Sequence, residues 1–167
     1  MGAAVLLEAS ATPGIIASSC MANSVGWPAA TLFNPHHAPD LPRGLHIDSQ
    51  RLSASFIGLD AQTKQWLKEQ DTDPNALGLL CVHQPSAPFV HEFCARLGVR
   101  ADIVVPTCHR TGNMGAATLP LQLSPAVEQG RLRPGGTAAL FGLAGGASAG
   151  VMLINWSAPP RAPALRR

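Results

Sequence analysis

Residues 76–82, Ala-Leu-Gly-Leu-Leu-Cys-Val, form a short unbroken apolar run that stops at His83-Gln84-Pro85. A run of this length without polar alternation marks a strand buried on both faces. Such a strand needs cover on two sides, and the neighbouring segments offer it. Ala87–Leu97 has amphipathic helical spacing and ends at Gly98. Arg51–Gln70 places Leu52, Phe56, Leu59, Trp66 and Leu67 at threes and fours, which predicts one helix. Asp102–Val105 reads as another buried strand, ended by Pro106, and Gly115–Glu128 as a helix with Gly130 as its C-cap. Beyond a Pro134-Gly135-Gly136 turn, Thr137–Leu143 and Gly150–Trp156 are two more apolar strands. Gly2–Ala9 and Gly14–Met21 read as a hairpin that opens the chain, as if in mid-strand of something longer. Residues 24–50, rich in Pro, Asn and His, read as a long loop. The order β-β-α-β-α-β-α-β-β predicts an α/β domain over residues 1–156, a mixed sheet with helices on its faces. Residues 157–167, with Pro159, Pro160 and Pro163, read as a flexible tail.

The chain of 167 residues is long enough for a real core, yet it is 46% hydrophobic and only 13% charged. Roughly a quarter charged is usual. That deficit predicts burial at an apolar interface, hence an oligomer. A net charge of +2 argues against nucleic acid or an anionic membrane surface as partner. No apolar run reaches the length of a membrane span. Cys20, Cys81, Cys94 and Cys108 have no CxxC spacing, and the apolar start carries Glu8 and no basic flank, unlike a secretory signal. The thiols therefore read as reduced and the location as cytoplasmic.

Three polar devices follow strand-like segments: His83, Asn113 in Thr111-Gly112-Asn113-Met114, and Gly145-Gly146. Converging at one end of a sheet, they have the means to polarise a carbonyl but not to make or break an acyl bond unaided. Each has a plainer reading: a satisfied core histidine, a helix N-cap, a hairpin turn. No activated nucleophile stands with them. Cys81 is inside a buried strand, Cys94 is mid-helix, and Cys108, beside His109 and Arg110, is the best local thiol. Cys81-x-His83 with His91-x-x-Cys94 imitates a zinc ligand set, but the loops of a closed tetrahedral site are missing. A zinc-binding domain is thus the weakest alternative, and no metal site is expected.

Val82-His83-Gln84-Pro85-Ser86, Arg110-Thr111-Gly112-Asn113-Met114-Gly115-Ala116-Ala117 and Gly145-Gly146 before a last strand resemble the C-terminal half of β-ketoacyl-acyl-carrier-protein synthase III, in the thiolase-like superfamily. Gly130-Arg131-Leu132-Arg133-Pro134-Gly135 is similar to that family's Asp-Gly-Arg-Ile-Lys-Pro-Gly turn. Gly2–Leu7 followed by Pro13-Gly14-Ile15-Ile16 is similar to the strand that opens its second half. The resemblance covers residues 2–156, with departures at Pro85-Ser86 (usually Ala-Asn), Thr111 (usually His) and Ala144 (usually Gly).

The resemblance implies a thiolase-like fold of which this chain is the C-terminal half only, with a mixed five-stranded sheet. It implies an acyltransferase making decarboxylative condensations or acyl transfers through thioesters in fatty acid or polyketide biosynthesis. Catalysis would fall to His83 and Asn113, with the Gly145 N–H lining an oxyanion hole and Phe56 at the acyl pocket. No cofactor is implied beyond acyl-CoA or acyl-carrier-protein thioesters as substrates. The family's nucleophilic Cys lies in the other half, so the implied partners are a Cys-bearing N-terminal half or homologous subunit and an acyl carrier protein. Alone, the chain would be inactive. The competing expectation is a non-catalytic partner subunit, or a truncated relic of such an enzyme.

Overall fold

The computed structural model describes residues 2–34, 36–41 and 43–157, and its first regular element is strand β1, Ile15–Ala22. A 3₁₀ turn over Ser24–Ala29 leads to a small hairpin, β2 (Ala30–Leu32) and β3 (Leu45–Ile47). Helices α1 (Ser49–Ser55) and α2 (Leu59–Glu69) precede strand β4 (Leu79–Val82). Helix α3 (Ala87–Leu97), the short α4 (Cys108–Thr111) and α5 (Pro120–Glu128) follow. Strands β5 (Thr137–Ala144) and β6 (Ser148–Asn155) close the fold.

The main sheet has the order β1-β6-β5-β4, with β4 parallel to β5 and the other pairs antiparallel. It is the mixed sheet with helices on its faces that the sequence predicts. All four residues of β4 are buried, as an uninterrupted apolar run requires. Leu80 and Val82 join Ala139, Phe141, Val151 and Leu153 in a core with Leu59, Leu67, Phe93 and Leu97 of α2 and α3. Leu79 and Cys81 point the other way, to Leu123 and Ala126 of α5. Burying each such leucine or valine contributes about 1.5–3 kcal/mol. Helix α3 keeps the bounds read from its sequence. Ser86 accepts from the Phe89 N–H at its start, and Gly98, at φ 72°, takes the left-handed turn that ends it.

Five expectations need correction. Residues 2–14 form no strand, and β1 pairs with β6 instead of with an opening hairpin. Val5, Leu6 and Leu7 are consecutive, so they lack the alternation that would bury one face, and all three are exposed. The expected helix over 51–70 is split: α1 ends at Ser55, and Gly58, whose φ of 94° is left-handed, stands before the start of α2. The expected helix over 115–128 is a 3₁₀ turn at Gly115–Thr118 followed by α5, which starts at Pro120, a residue suited to the first turn and not to a helix interior. The loop over 24–50 contains the β2–β3 hairpin, with Thr31 opposite His46.

The fifth correction bears on the site. Ala101–Ile103 is a 3₁₀ turn, Val104 after it is extended, and neither Val104 nor Val105 pairs in a sheet, so the main sheet has four strands among the described residues, not five. A side chain occupies part of the edge that a fifth strand would use. His83 N–H donates to Phe141 O of β5, so the main-chain groups of Val82 face the opposite, outer edge. There the buried Gln122 carboxamide takes both: Nε2 donates to Val82 O (2.8 Å) and Oε1 accepts from Val82 N–H (3.3 Å). A primary amide has the donor and acceptor of a peptide group, and here it occupies the place of a fifth ladder. Residues 102–105 are held by side chains instead. Gln84 Nε2 donates to Val105 O (2.8 Å), and the Arg131 guanidinium donates to Asp102 O (2.9 Å) and Val104 O (3.3 Å). The expected tail beyond Ser157 lies outside the described residues. No helix among the described residues is long and apolar enough to cross a membrane.

Candidate active site

His83 is the first residue past β4, and its place is set by the sheet: Val82 pairs with Phe141, and the His83 N–H donates to Phe141 O at 2.9 Å. Its ring is half-buried, and burial draws its pKa below the ordinary histidine value. A hydrogen bond with the main chain of Gly115 acts in the opposite direction. Burial is the larger cause, so the neutral imidazole is favoured, a ring whose single N–H is directed to the Gly115 main chain and whose other nitrogen carries a lone pair.

Asn113 follows Gly112, whose φ of 66° turns the chain out of α4. Its side chain closes a tight turn, with Oδ1 accepting from the Gly115 N–H at 2.9 Å. That is an Asx turn and not the helix N-cap of the plainer reading, since Met114 holds the cap position of the following 3₁₀ turn, and it uses only the oxygen. Asn113 Nδ2 makes no hydrogen bond among the described residues, and the side chain is exposed. Gly115 is therefore common ground: its N–H holds Asn113, and its main chain meets the His83 ring. The structure brings these two residues together.

Gly145 lies in the β5–β6 turn. Because β5 runs parallel to β4, that turn stands at the same sheet end as His83. A Cβ on Gly145 would lie 3.1 Å from Ala30 Cβ and 3.4 Å from Ala30 O, so the turn packs against β2 too closely for a side chain. No hydrogen bond joins Gly145 to His83 or Asn113 among the described residues. Phe56 sits at the break between α1 and α2 and lines a cleft with Leu59, Phe89, Phe93, Phe141 and Leu143. Its volume of about 10 Å³ holds about one water, so these walls alone enclose no acyl chain.

The thiols are poor nucleophiles or stand apart. Cys81 is fully buried, and desolvation pushes its pKa up to about 12. Burial raises that of Cys94 as well. Cys108 is half-buried, with its main-chain N–H donating to Gln84 Oε1 (3.2 Å), and Cys20 is exposed on β1. Among the described residues no three His, Cys, Asp or Glu side chains are grouped to hold a metal.

Sequence reasoning missed Gln84 and Gln122, both essentially inaccessible. A signal existed for the second: Leu119, Leu123 and Ala126 form the apolar stripe of α5, and Gln122 is a polar residue on that stripe.

Residues 67–156, more than half of the chain, match the 3-oxoacyl-[acyl-carrier-protein (ACP)] synthase III C-terminal family. The chain belongs to that family. The matched segment runs from the end of α2 through β6 and contains His83, Asn113 and Gly145, while Phe56 precedes it. Beta-ketoacyl-[acyl-carrier-protein] synthase III 1 of Vibrio parahaemolyticus is 30% identical over 92% of this chain and 49% of its own length. The synthase III of Synechococcus sp. RCC307 is 35% identical over 58% of this chain and 29% of its own. The chain thus spans about half, or less, of the curated relatives it matches. In structure it is similar to 3-oxoacyl-(acyl carrier protein) synthase III of Pseudomonas aeruginosa PAO1, with a TM-score of 0.77 at 19% identity over 92% of this chain and 50% of the other. It is also similar to the priming β-ketosynthase of the R1128 polyketide pathway, with a TM-score of 0.78 at 22% identity over 90% and 47%. The fold is accordingly thiolase-like, and the chain corresponds to the family's C-terminal half.

Proposed function

We propose that this chain is the oxyanion-stabilising half of a synthase III-type acyltransferase that builds fatty acid or polyketide chains from acyl-CoA and acyl-carrier-protein thioesters. Its nucleophilic Cys would come from another half, on a longer polypeptide or a separate subunit, with assembly as an oligomer in the cytoplasm. The observation that carries this reading is the pairing through Gly115 of a histidine held toward neutrality with an asparagine whose amide N–H groups are unspent. In this reading the neutral His83 ring turns its one N–H from the Gly115 main chain to the substrate oxygen, where it and the Asn113 amide are two neutral donors suited to an oxygen that gains charge without being protonated.

In the condensation, an acyl group is held on the Cys as a thioester. The carboxylate of a malonyl thioester loses carbon dioxide, and the C–C electron pair passes into an enolate whose charge rests on oxygen. His83 and Asn113 donate to that oxygen. The enolate carbon attacks the acyl carbonyl, a C–C bond forms, the C–S bond to the Cys breaks, and the sulfur leaves as thiolate. Gly145 would offer its main-chain N–H to the acyl thioester oxygen during this attack, and Phe56 would border the acyl chain. Removing one such donor typically costs about 10²–10³ in kcat.

The test is reconstitution with a Cys-bearing half. The lone chain should take no acyl group from radiolabelled acyl-CoA. The pair should condense acyl-CoA with malonyl-carrier protein, and His83→Ala should lower kcat by about 10²-fold or more. Unchanged turnover in His83→Ala would reject the catalytic reading in favour of a non-catalytic partner subunit.

A further inference from the structure

Among the described residues, the carboxamide of Gln122 hydrogen-bonds to both supports of the candidate site. Besides its two bonds to Val82, its Nε2 donates to Thr118 O at 2.9 Å. Val82 is the residue before His83. Thr118 ends the 3₁₀ turn that starts at Gly115, on which Asn113 closes and against which the His83 ring rests. One side chain, 0% exposed, thus bonds the strand that carries one donor to the turn that carries the other. From the other side, Gln84 Oε1 accepts from Thr107 N–H (2.8 Å) and Cys108 N–H (3.2 Å), fixing the strand end to the start of α4. A buried amide with both its oxygen and its nitrogen satisfied is rigid and costly to disturb.

We propose that Gln122 is a positioning residue that sets the separation of His83 and Asn113 by joining the Val82 peptide groups to the Gly115–Thr118 turn. It touches no reacting atom. In most strand–helix contacts apolar packing alone sets the spacing, and that tolerates slips of a fraction of an ångström. Three directed hydrogen bonds from one amide do not, and a pair of oxyanion donors needs such precision. The catalytic consequence rests on the function proposed above, whereas the geometry does not.

The test uses the full chain without substrate or a second half. Gln122→Met keeps the volume and removes every bond. Amide hydrogen exchange at Val82 should accelerate about tenfold or more, the cost of a lost buried hydrogen bond. The nuclear Overhauser contact between the His83 ring and Gly115 should be lost in the same sample. Leu123→Ala, on the same helix and destabilising by packing alone, should keep that contact. If Gln122→Met does not fold, Gln122→Asn carries both readouts, because its amide is one methylene too short to span Val82 and Thr118. A His83–Gly115 contact that persists in whichever variant folds would overturn the proposal, as would its loss in Leu123→Ala. Because no turnover is measured, a chain inert in condensation would leave this result intact.

Discussion

Gly26→Ala offers a sharp test of how the two arms of the fold are locked together. Gly26 lies in the 3₁₀ turn after β1, between α1 and the β5–β6 turn. A Cβ placed there would be 2.4 Å from Ser55 Cβ and 2.8 Å from Ala147 Cβ. Real carbons do not approach so closely, and both obstacles are Cβ atoms fixed to backbone, so no rotamer change relieves the clash. The turn would have to move away and strain two bonds beside it, Asn23 Nδ2 to Ser55 O (2.9 Å) and Asn23 N–H to Ala147 O (2.8 Å). Overpacking of this kind costs about 1–3 kcal/mol, and two simultaneous clashes place the expectation near the top, about 3 kcal/mol. Alanine's better helical propensity returns under about 1 kcal/mol. The net, about 2 kcal/mol, corresponds to a fall in Tm of about 4–8 °C for a chain of this size. Circular dichroism melts of wild type and Gly26→Ala measure it, with Gly2→Ala as control, since nothing lies within 4 Å of a Cβ at Gly2. A Gly26→Ala melt within about 1 °C of wild type would refute the packing described here.

Two further outcomes follow from the core. Cys81 is protonated to about pH 12 in the fold but ionises near its ordinary value when unfolded, so its contribution to stability is whole below about pH 9 and is lost as pH rises from 9 toward 12. Denaturant titrations across that range should show wild type losing more stability than Cys81→Ala, and a thiol reagent at pH 8 should label exposed Cys20 before Cys81. Phe141 is 1% exposed with its ring 4.6 Å from that of Phe93, so Phe141→Ala should cost about 3–5 kcal/mol. Equal unfolding midpoints in urea would count against that core.

The parts of the fold legible in the sequence are those where one signal decides the outcome. An unbroken apolar run made β4, and a serine cap with a closing glycine fixed both ends of α3. The illegible parts are those where two local preferences compete and a distant group settles them. Val104 and Val105 have every local reason to join a ladder, and no window around them contains Gln122, which takes the Val82 groups they would bond. The Leu52–Leu67 spacing reads as one helix because a period of threes and fours continues across Gly58, whose left-handed φ is visible only in three dimensions. The same division runs through the candidate site. His83 and Asn113 stand out as polar residues at strand and turn ends, and their proximity is a property of one glycine that both contact. What ties the far end of the turn that begins at that glycine to β4 is a glutamine on the apolar stripe of a helix, a position where periodicity alone predicts an aliphatic side chain. A polar residue on such a stripe costs stability unless every bond is met. Gln122 meets three, which is why it can stand where leucine would otherwise pack.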